Sequence, residues 1–132
     1  MDKTYITIER GNNGTEAIAF AGMLTLMYVR WADRNGLKRE VTGNQVVIEG
    51  ECVALKSESG VHRLVRISPF DEKQRRHTSF ASVSVSEEPV HEAQGEYVRS
   101  YIFHPYEMAR NHKTNTETPD VYGVLDGHIK PV

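Results

Sequence analysis

Between Thr15 and Asn35 the apolar residues Ala17, Phe20, Ala21, Leu24, Met27, Tyr28 and Trp31 recur at three- and four-residue steps. That spacing gathers them on one stripe of an α-helix, and a stripe so wide must be buried against another apolar surface. Gly36 follows as a stop, because glycine reaches the backbone conformations that end a helix. Glu16 falls in the first turn, where the helix dipole favours a carboxylate, and Thr15 or Asn13 is the expected N-cap. Tyr28, Trp31, Met23 and Met27 are read as core rather than as binding surface.

The flanking sequence supplies strands for this helix to lie on. Thr4 to Ile8 alternates hydroxyl-bearing and apolar residues, and Arg10-Gly11-Asn12-Asn13-Gly14 breaks the pattern with turn formers. Leu37 to Val41 and Gln45 to Ile48 flank Thr42-Gly43-Asn44 as a hairpin. Gly50 to Lys56 fits helix or strand equally. Val61 to Ile67 and Phe80 to Val85 read as strands, the second with the cleaner alternation. Ser86 to Glu96 is acidic, contains Pro and Gly, and reads as a linker. Tyr97 to Phe103 returns to strand and ends at His104-Pro105. Thr114 to Glu117 has capping-box spacing, but Pro119 makes Asp120 to Leu125 the better short final helix. The expected fold is α+β: a single domain over residues 1–132, with a mixed or antiparallel sheet packed on one long amphipathic helix. Residues 1–85 and 97–132 would be joined by the acidic linker 86–96.

At 132 residues the length prior gives one domain with a real core. No apolar run is long enough to span a bilayer, and Met1-Asp2-Lys3 opens without an apolar signal region, so a soluble cytoplasmic protein without membrane association is expected. Cys52 is the only cysteine and reads as a small buried group beside Val53 and Ala54. There is no phosphate loop with its Lys, no nucleophile elbow and no paired Cys or His spacing. Histidines 62, 77, 91, 104, 112 and 128 are scattered and expected to be solvated or capping. The expectation is binding chemistry, with no catalytic residues, no metal and no cofactor.

The formal charge of −2 argues against a non-specific nucleic-acid coat. It hides an asymmetry: from Lys56 to His77 six cations face three acids, a local net of +3, which leaves about −5 for the rest. Within that segment, Arg66 to Phe80 combines a Ser-Pro turn, two aromatic rings, a His, a Thr and several cations. These are ingredients for reading single-stranded nucleic acid, where bases stack on rings and expose their edges to hydrogen bonds. On chemistry alone a plain solvated hairpin loop takes precedence, because loops are charged by default. The two bracketing strands would present the loop from a sheet edge.

The residues also resemble the bacterial class I peptide chain release factors of the type that reads UGA and UAA. The likeness is carried by Gly14-Thr15-Glu16-Ala17, Met27-Tyr28-Val29-Arg30-Trp31-Ala32, Ser59-Gly60-Val61-His62-Arg63-Leu64-Val65-Arg66, Ser68-Pro69-Phe70-Asp71, Arg75-Arg76-His77-Thr78-Ser79-Phe80, Arg99-Ser100-Tyr101 and Val124-Leu125-Asp126-Gly127. It implies the codon-recognition superdomain of that family, with the ribosome and an mRNA stop codon as partners. It implies that Ser68, Pro69 and Phe70 contact the codon, with Ser68 at the second base, and that Glu16 lies beside the first two bases. It further implies that His77 stacks to separate the third base, while Val65 and Thr78 line the third-base pocket. Arg75 and Arg76 either contact RNA phosphate or merely solvate the loop.

Two departures qualify what the resemblance implies. Asn13 stands where the family carries a Gly close to the first base. The Gly-Gly-Gln domain that the family inserts between the strand ending near Val85 and the strand starting near Tyr97 is missing, as is the N-terminal helical domain; no Gly-Gly-Gln occurs in the sequence. The expectation is therefore a stop-codon-reading or A-site-docking module without peptidyl-tRNA hydrolysis, in competition with a full-length release factor. The alternatives are a repurposed RNA- or protein-binding module that no longer reads codons, or one half of a split factor whose separate chain supplies hydrolysis.

Overall fold

The computed structural model describes residues 2–50, 52–88 and 96–129. The chain runs β1 (Lys3–Arg10), α1 (Thr15–Arg34), β2 (Arg39–Thr42), β3 (Gln45–Glu49), a 3-10 helix (Val53–Glu58), β4 (Gly60–Ile67), β5 (Arg76–Ser86), β6 (Tyr97–Ile102), β7 (Met108–Asn111), β8 (Thr116–Thr118) and α2 (Val121–Leu125). The strands form one eight-stranded sheet in the order β2-β3-β1-β5-β4-β6-β7-β8. All neighbours are antiparallel except β4 and β6, which run parallel. The α+β class and the long helix match the sequence expectation. Most of the acidic linker, residues 89–95, lies outside the described residues.

Period decides the architecture. Along α1, Ala17 is buried, and Phe20, Leu24, Met27, Tyr28 and Trp31 share one core with Ile6, Ile8, Val46, Ile48, Leu64, Ala81, Val83 and Tyr101, the inward-facing alternates of the strands. Each such aliphatic side chain removed from water contributes about 1.5–3 kcal/mol. Cys52 and Leu55 join the core, as do Val121, Val124 and Leu125 of α2, so both helices and the 3-10 helix share one side of the sheet.

Three local expectations need correction. The N-cap of α1 is Gly14 with no side-chain cap bond; Asn12 Oδ1 instead accepts from the Gly14 amide at 2.7 Å, a local turn that neither Thr15 nor Asn13 supplies. The stems β4 and β5 are central strands, so the loop between them sits at the end of the sheet and not on its edge. His62 is not solvated but fully buried. As preferred from the sequence, the final helix follows Asp120, and Thr114 to Glu117 is instead the turn and start of the β7–β8 hairpin, where Asn111 Oδ1 accepts from the amides of Lys113 and Thr114.

His62 belongs to a buried polar network that joins four elements. Arg99 on β6 donates to both carboxylate oxygens of Glu58, at 2.7 and 2.6 Å, and Tyr28 of α1 donates to the same carboxylate at 3.0 Å. His62 Nε2 lies 2.9 Å from the Glu58 carbonyl, which can only accept, so this nitrogen carries the proton. Nδ1 then accepts from the Tyr101 hydroxyl at 3.0 Å, and that hydroxyl accepts from Arg99. Burial pushes the Glu58 carboxyl up, but the Arg99 charge and hydrogen bonds outweigh it and hold it below its ordinary value. Burial pushes His62 down to about 4.

The sign of the pH effect follows. In the unfolded chain His62 takes up a proton near its ordinary value of about 6.5, whereas the folded chain keeps it neutral to lower pH, so stability is full above that value and falls as pH drops toward 4. The loss is on the order of 3 kcal/mol over that window. Urea midpoints should therefore fall between about pH 7 and pH 5, before ordinary carboxylates titrate, and His62→Gln should flatten that decline. Arg99→Met alone should cost about 3–5 kcal/mol, because it strands the Glu58 carboxylate in the core.

Candidate nucleic-acid interface

The loop between β4 and β5 is built from two successive turns. The Asp71 amide donates to the Ser68 carbonyl at 3.3 Å and the Gln74 amide to the Asp71 carbonyl at 2.9 Å, with Gln74 at a φ of 53°. Asp71 is its hub. One carboxylate oxygen accepts from the Lys73 amide at 2.9 Å, and the other lies 2.8 Å from both Arg75 Nε and His77 Nε2. Bonds from His77, Arg75 and the Lys73 amide hold this carboxyl well below the usual carboxylate range. Loop order and imidazole orientation thus come from one side chain.

A second carboxylate ties the loop to α1. Arg66, at the end of β4, grips Glu16 through two bonds of 2.7 and 2.8 Å, and the Ser68 hydroxyl donates to the same carboxylate at 3.3 Å while accepting from the Phe70 amide at 3.2 Å. The Arg66 hydrogen bonds, opposed by partial burial, hold the Glu16 carboxyl below its ordinary value. Gly11 docks the other end of the helix-tip turn: its amide donates to the Phe80 carbonyl at 2.9 Å, and a Cβ there would stand 2.8 Å from that oxygen. Asn13 is exposed and does not adopt positive φ.

The sequence-predicted residues divide between two sides of this structure. Glu16, Ser68, Phe70, Arg75, His77 and Thr78 line one cleft of about 570 Å³ at the helix tip. Pro69 turns to a neighbouring groove beside α1. Val65 lies directly across from Thr78 in the β4–β5 register, and both belong to the alternate set that faces away from α1, whereas His77 and Arg66 form the next pair. His77 therefore stands at the boundary between the helix-side cleft and the outer face. Phe70 is exposed, but Ser68 is only 3% exposed. Arg76 is exposed at the first position of β5 and has no ion pair among the described residues. The local net of +3 is redistributed but not reduced: Arg66 is paired with Glu16 from outside the segment, Glu58 turns inward to Arg99, and Arg75 and Asp71 cancel each other within it.

Two positioning residues escaped the sequence reading. Arg66 lies fifty residues from Glu16, so no local pattern pairs them. Asp71 did carry a signal: an Asp two residues before Lys73 and four before Arg75 is the pattern of a side chain closing its own turn.

The same fold and much of the same sequence occur in proteins of known family. The sequence matches the PCRF domain over residues 1–83. The peptide chain release factor 2 of Thermotoga maritima is 30% identical over 229 residues, covering 97% of this chain and 62% of the relative. That of Helicobacter acinonychis is 50% identical over 96 residues, covering 63% of this chain and 26% of the relative. Among solved structures, RF2 of Thermus thermophilus superposes with a TM-score of 0.84 at 24% identity, over 97% of this chain and 65% of that one, a likeness of fold. The chain belongs to the PCRF domain family of peptide chain release factors. It spans less than two thirds of the Thermotoga relative, and because the 229-residue match exceeds the 132 residues here, that relative contains an internal stretch without counterpart in this chain.

Asp71→Ala should raise the exchange rate of the Lys73 amide about tenfold or more by hydrogen-exchange NMR, while the global unfolding midpoint stays close to that of the parent chain. In the parent chain the contribution of Asp71 is present above its ordinary value and is lost only as pH falls through its depressed folded value. Protection of that amide should therefore persist at about pH 4, where an ordinary Asp is roughly half protonated.

Proposed function

We propose that this chain docks at the ribosomal decoding site and reads the stop codons UGA and UAA without itself hydrolysing peptidyl-tRNA. The observation that carries the reading is the juxtaposition, at one end of the sheet, of Glu16, Ser68 and His77 in one cleft with the Val65–Thr78 pair across the strand plane. Glu16, held anionic, accepts from the N–H edge of the first base. Ser68 both donates and accepts, so it meets adenine or guanine at the second position once it exchanges its Glu16 contact for a base edge. The half-exposed His77 ring offers a stacking face that divides the third base from the first two. Thr78 and Val65 meet that third base on the outer side. Pro69 and Phe70 stiffen and shield the turn, while Arg75 and Arg76 lie where phosphates pass. The relatives are release factors, and the absence of Gly-Gly-Gln from this sequence supports binding without hydrolysis and competition with a complete factor.

Ser68 is nearly buried, and that burial favours a second reading in which the loop is retained as scaffold and the surface binds another RNA or a protein. One experiment separates the two. Binding of the purified chain to ribosomes programmed with UGA, UAA, UAG or a sense codon should favour UGA and UAA, and Ser68→Ala should weaken that binding about tenfold with no peptide release in either case. Binding blind to the codon, or unchanged in Ser68→Ala and His77→Ala, would support the scaffold reading. Release only on addition of a second chain would support a split factor.

A further inference from the structure

We propose that the sheet face turned away from α1 is a second binding surface, on which single-stranded RNA stacks its bases against Phe80 and Tyr97 while Arg63 and Arg110 hold its phosphates. The choice of RNA as occupant rests on the codon-reading proposal above; the surface is argued from its own residues.

The strand register lays these side chains out in rows. Phe80 on β5 pairs with Arg63 on β4, Arg63 with Ser100 on β6, and Ser100 with Arg110 on β7, so ring, cation, hydroxyl and cation lie side by side across four strands. Cross-strand partners share a face, and the residues flanking this row in sequence, Leu64, Ala81, Tyr101 and Ala109, are buried on the helix side. The row therefore faces outward. Tyr97 lies beside it, 6.2 Å from Phe80 between ring centroids and 6.1 Å from the His112 ring.

These rings are more exposed than strand aromatics with a structural task. Phe80 is 39% and Tyr97 50% exposed, although both sit on paired strands. Exposed rings on a sheet interleaved with cations are the chemistry by which sheets bind single strands: every base has a face to stack, and the cations follow the backbone. Arg63 spends only its Nε, on Ser100 Oγ at 3.1 Å, which orients the guanidinium, and its terminal amino groups make no hydrogen bond among the described residues. Ser100 is fixed in turn by His112 at 2.6 Å. Burial and the nearby charges of Arg63 and Arg110 lower the His112 pKa, so the two cations flank a neutral ring. Charge complementarity thus favours a polyanion over an apolar partner, with Glu117 opposite Arg110 as the acid at the far end of the row.

The face is continuous with the cleft. Thr78, which lines the cleft, and Phe80 are alternate residues of one strand and face the same way. A strand whose base meets Thr78 and Val65 has Phe80 and Arg63 as its next contacts.

The test uses the full chain and a short, labelled, mixed-sequence single-stranded RNA that contains no stop triplet, followed by fluorescence anisotropy. Phe80→Leu and Tyr97→Leu should each weaken binding about tenfold. Tyr97→Phe, which keeps the ring, should retain it, and unfolding midpoints verify that each variant is folded. Arg63→Gln and Arg110→Gln should each lower the slope of log affinity against log salt by about 0.7. Arg110→Gln, which lies outside the codon-reading cleft, should leave the codon preference of ribosome binding unchanged, so failure of codon reading is distinguishable from failure of the face. Equal binding by the two leucine variants or equal binding of duplex RNA would overturn the proposal.

Discussion

The bidentate pair between Arg99 and Glu58 is the interaction on which the second half of the molecule hangs. Among the described residues the β4–β6 pair is the only parallel one, and β7, β8 and α2 follow from β6. A parallel strand receives slightly less from its hydrogen-bond ladder than an antiparallel one. Here side chains supplement the ladder: Arg99 and Tyr101 of β6 reach Glu58 of the 3-10 helix and His62 of β4, and Tyr28 of α1 donates to the same Glu58 carboxylate. Gly60 makes the same junction possible from the backbone side. At a φ of 138° it lets the Val61 amide meet the Glu96 carbonyl at 2.6 Å, where a Cβ would overlap that oxygen.

The helix-tip end of the sheet is organised by the same device in a more exposed setting. Glu16 and Asp71 gather donors from the end of β4, the turns and the start of β5. Both carboxyls are held below their ordinary values by those donors. The cleft is consequently near charge balance and highly oriented, which suits a site that discriminates base edges better than one that merely attracts phosphate.

What was legible in the sequence tracks how local the determining physics is. The α1 stripe, the first hairpin and the alternation of β5 are written in short-range periods, and each appeared where expected. β7 and β8 were invisible because strands of four and three residues at a sheet margin carry too few alternations to register. β5 begins at Arg76 rather than Phe80 because its first residues pair with Arg66 and Ile67, a relation that only the folded register reveals. Residue types marked the β4–β5 loop; the partner that orients it, Arg66, is joined to Glu16 across fifty residues of chain.

The position of β4 has a further consequence. β5 runs back along it and β6 forward beside it, so the end of β5 and the start of β6 arrive at the same end of the sheet with one strand between them, roughly 10 Å apart. The β4–β5 loop leaves from the other end, about 26 Å away along the eight residues of β4. Whatever joins β5 to β6, a few residues or a whole domain, closes on the same two anchor points and exerts no pull on the loop. The scaffold thus acts as a socket whose two ends can change independently: one can gain or shed a domain while the other keeps its geometry.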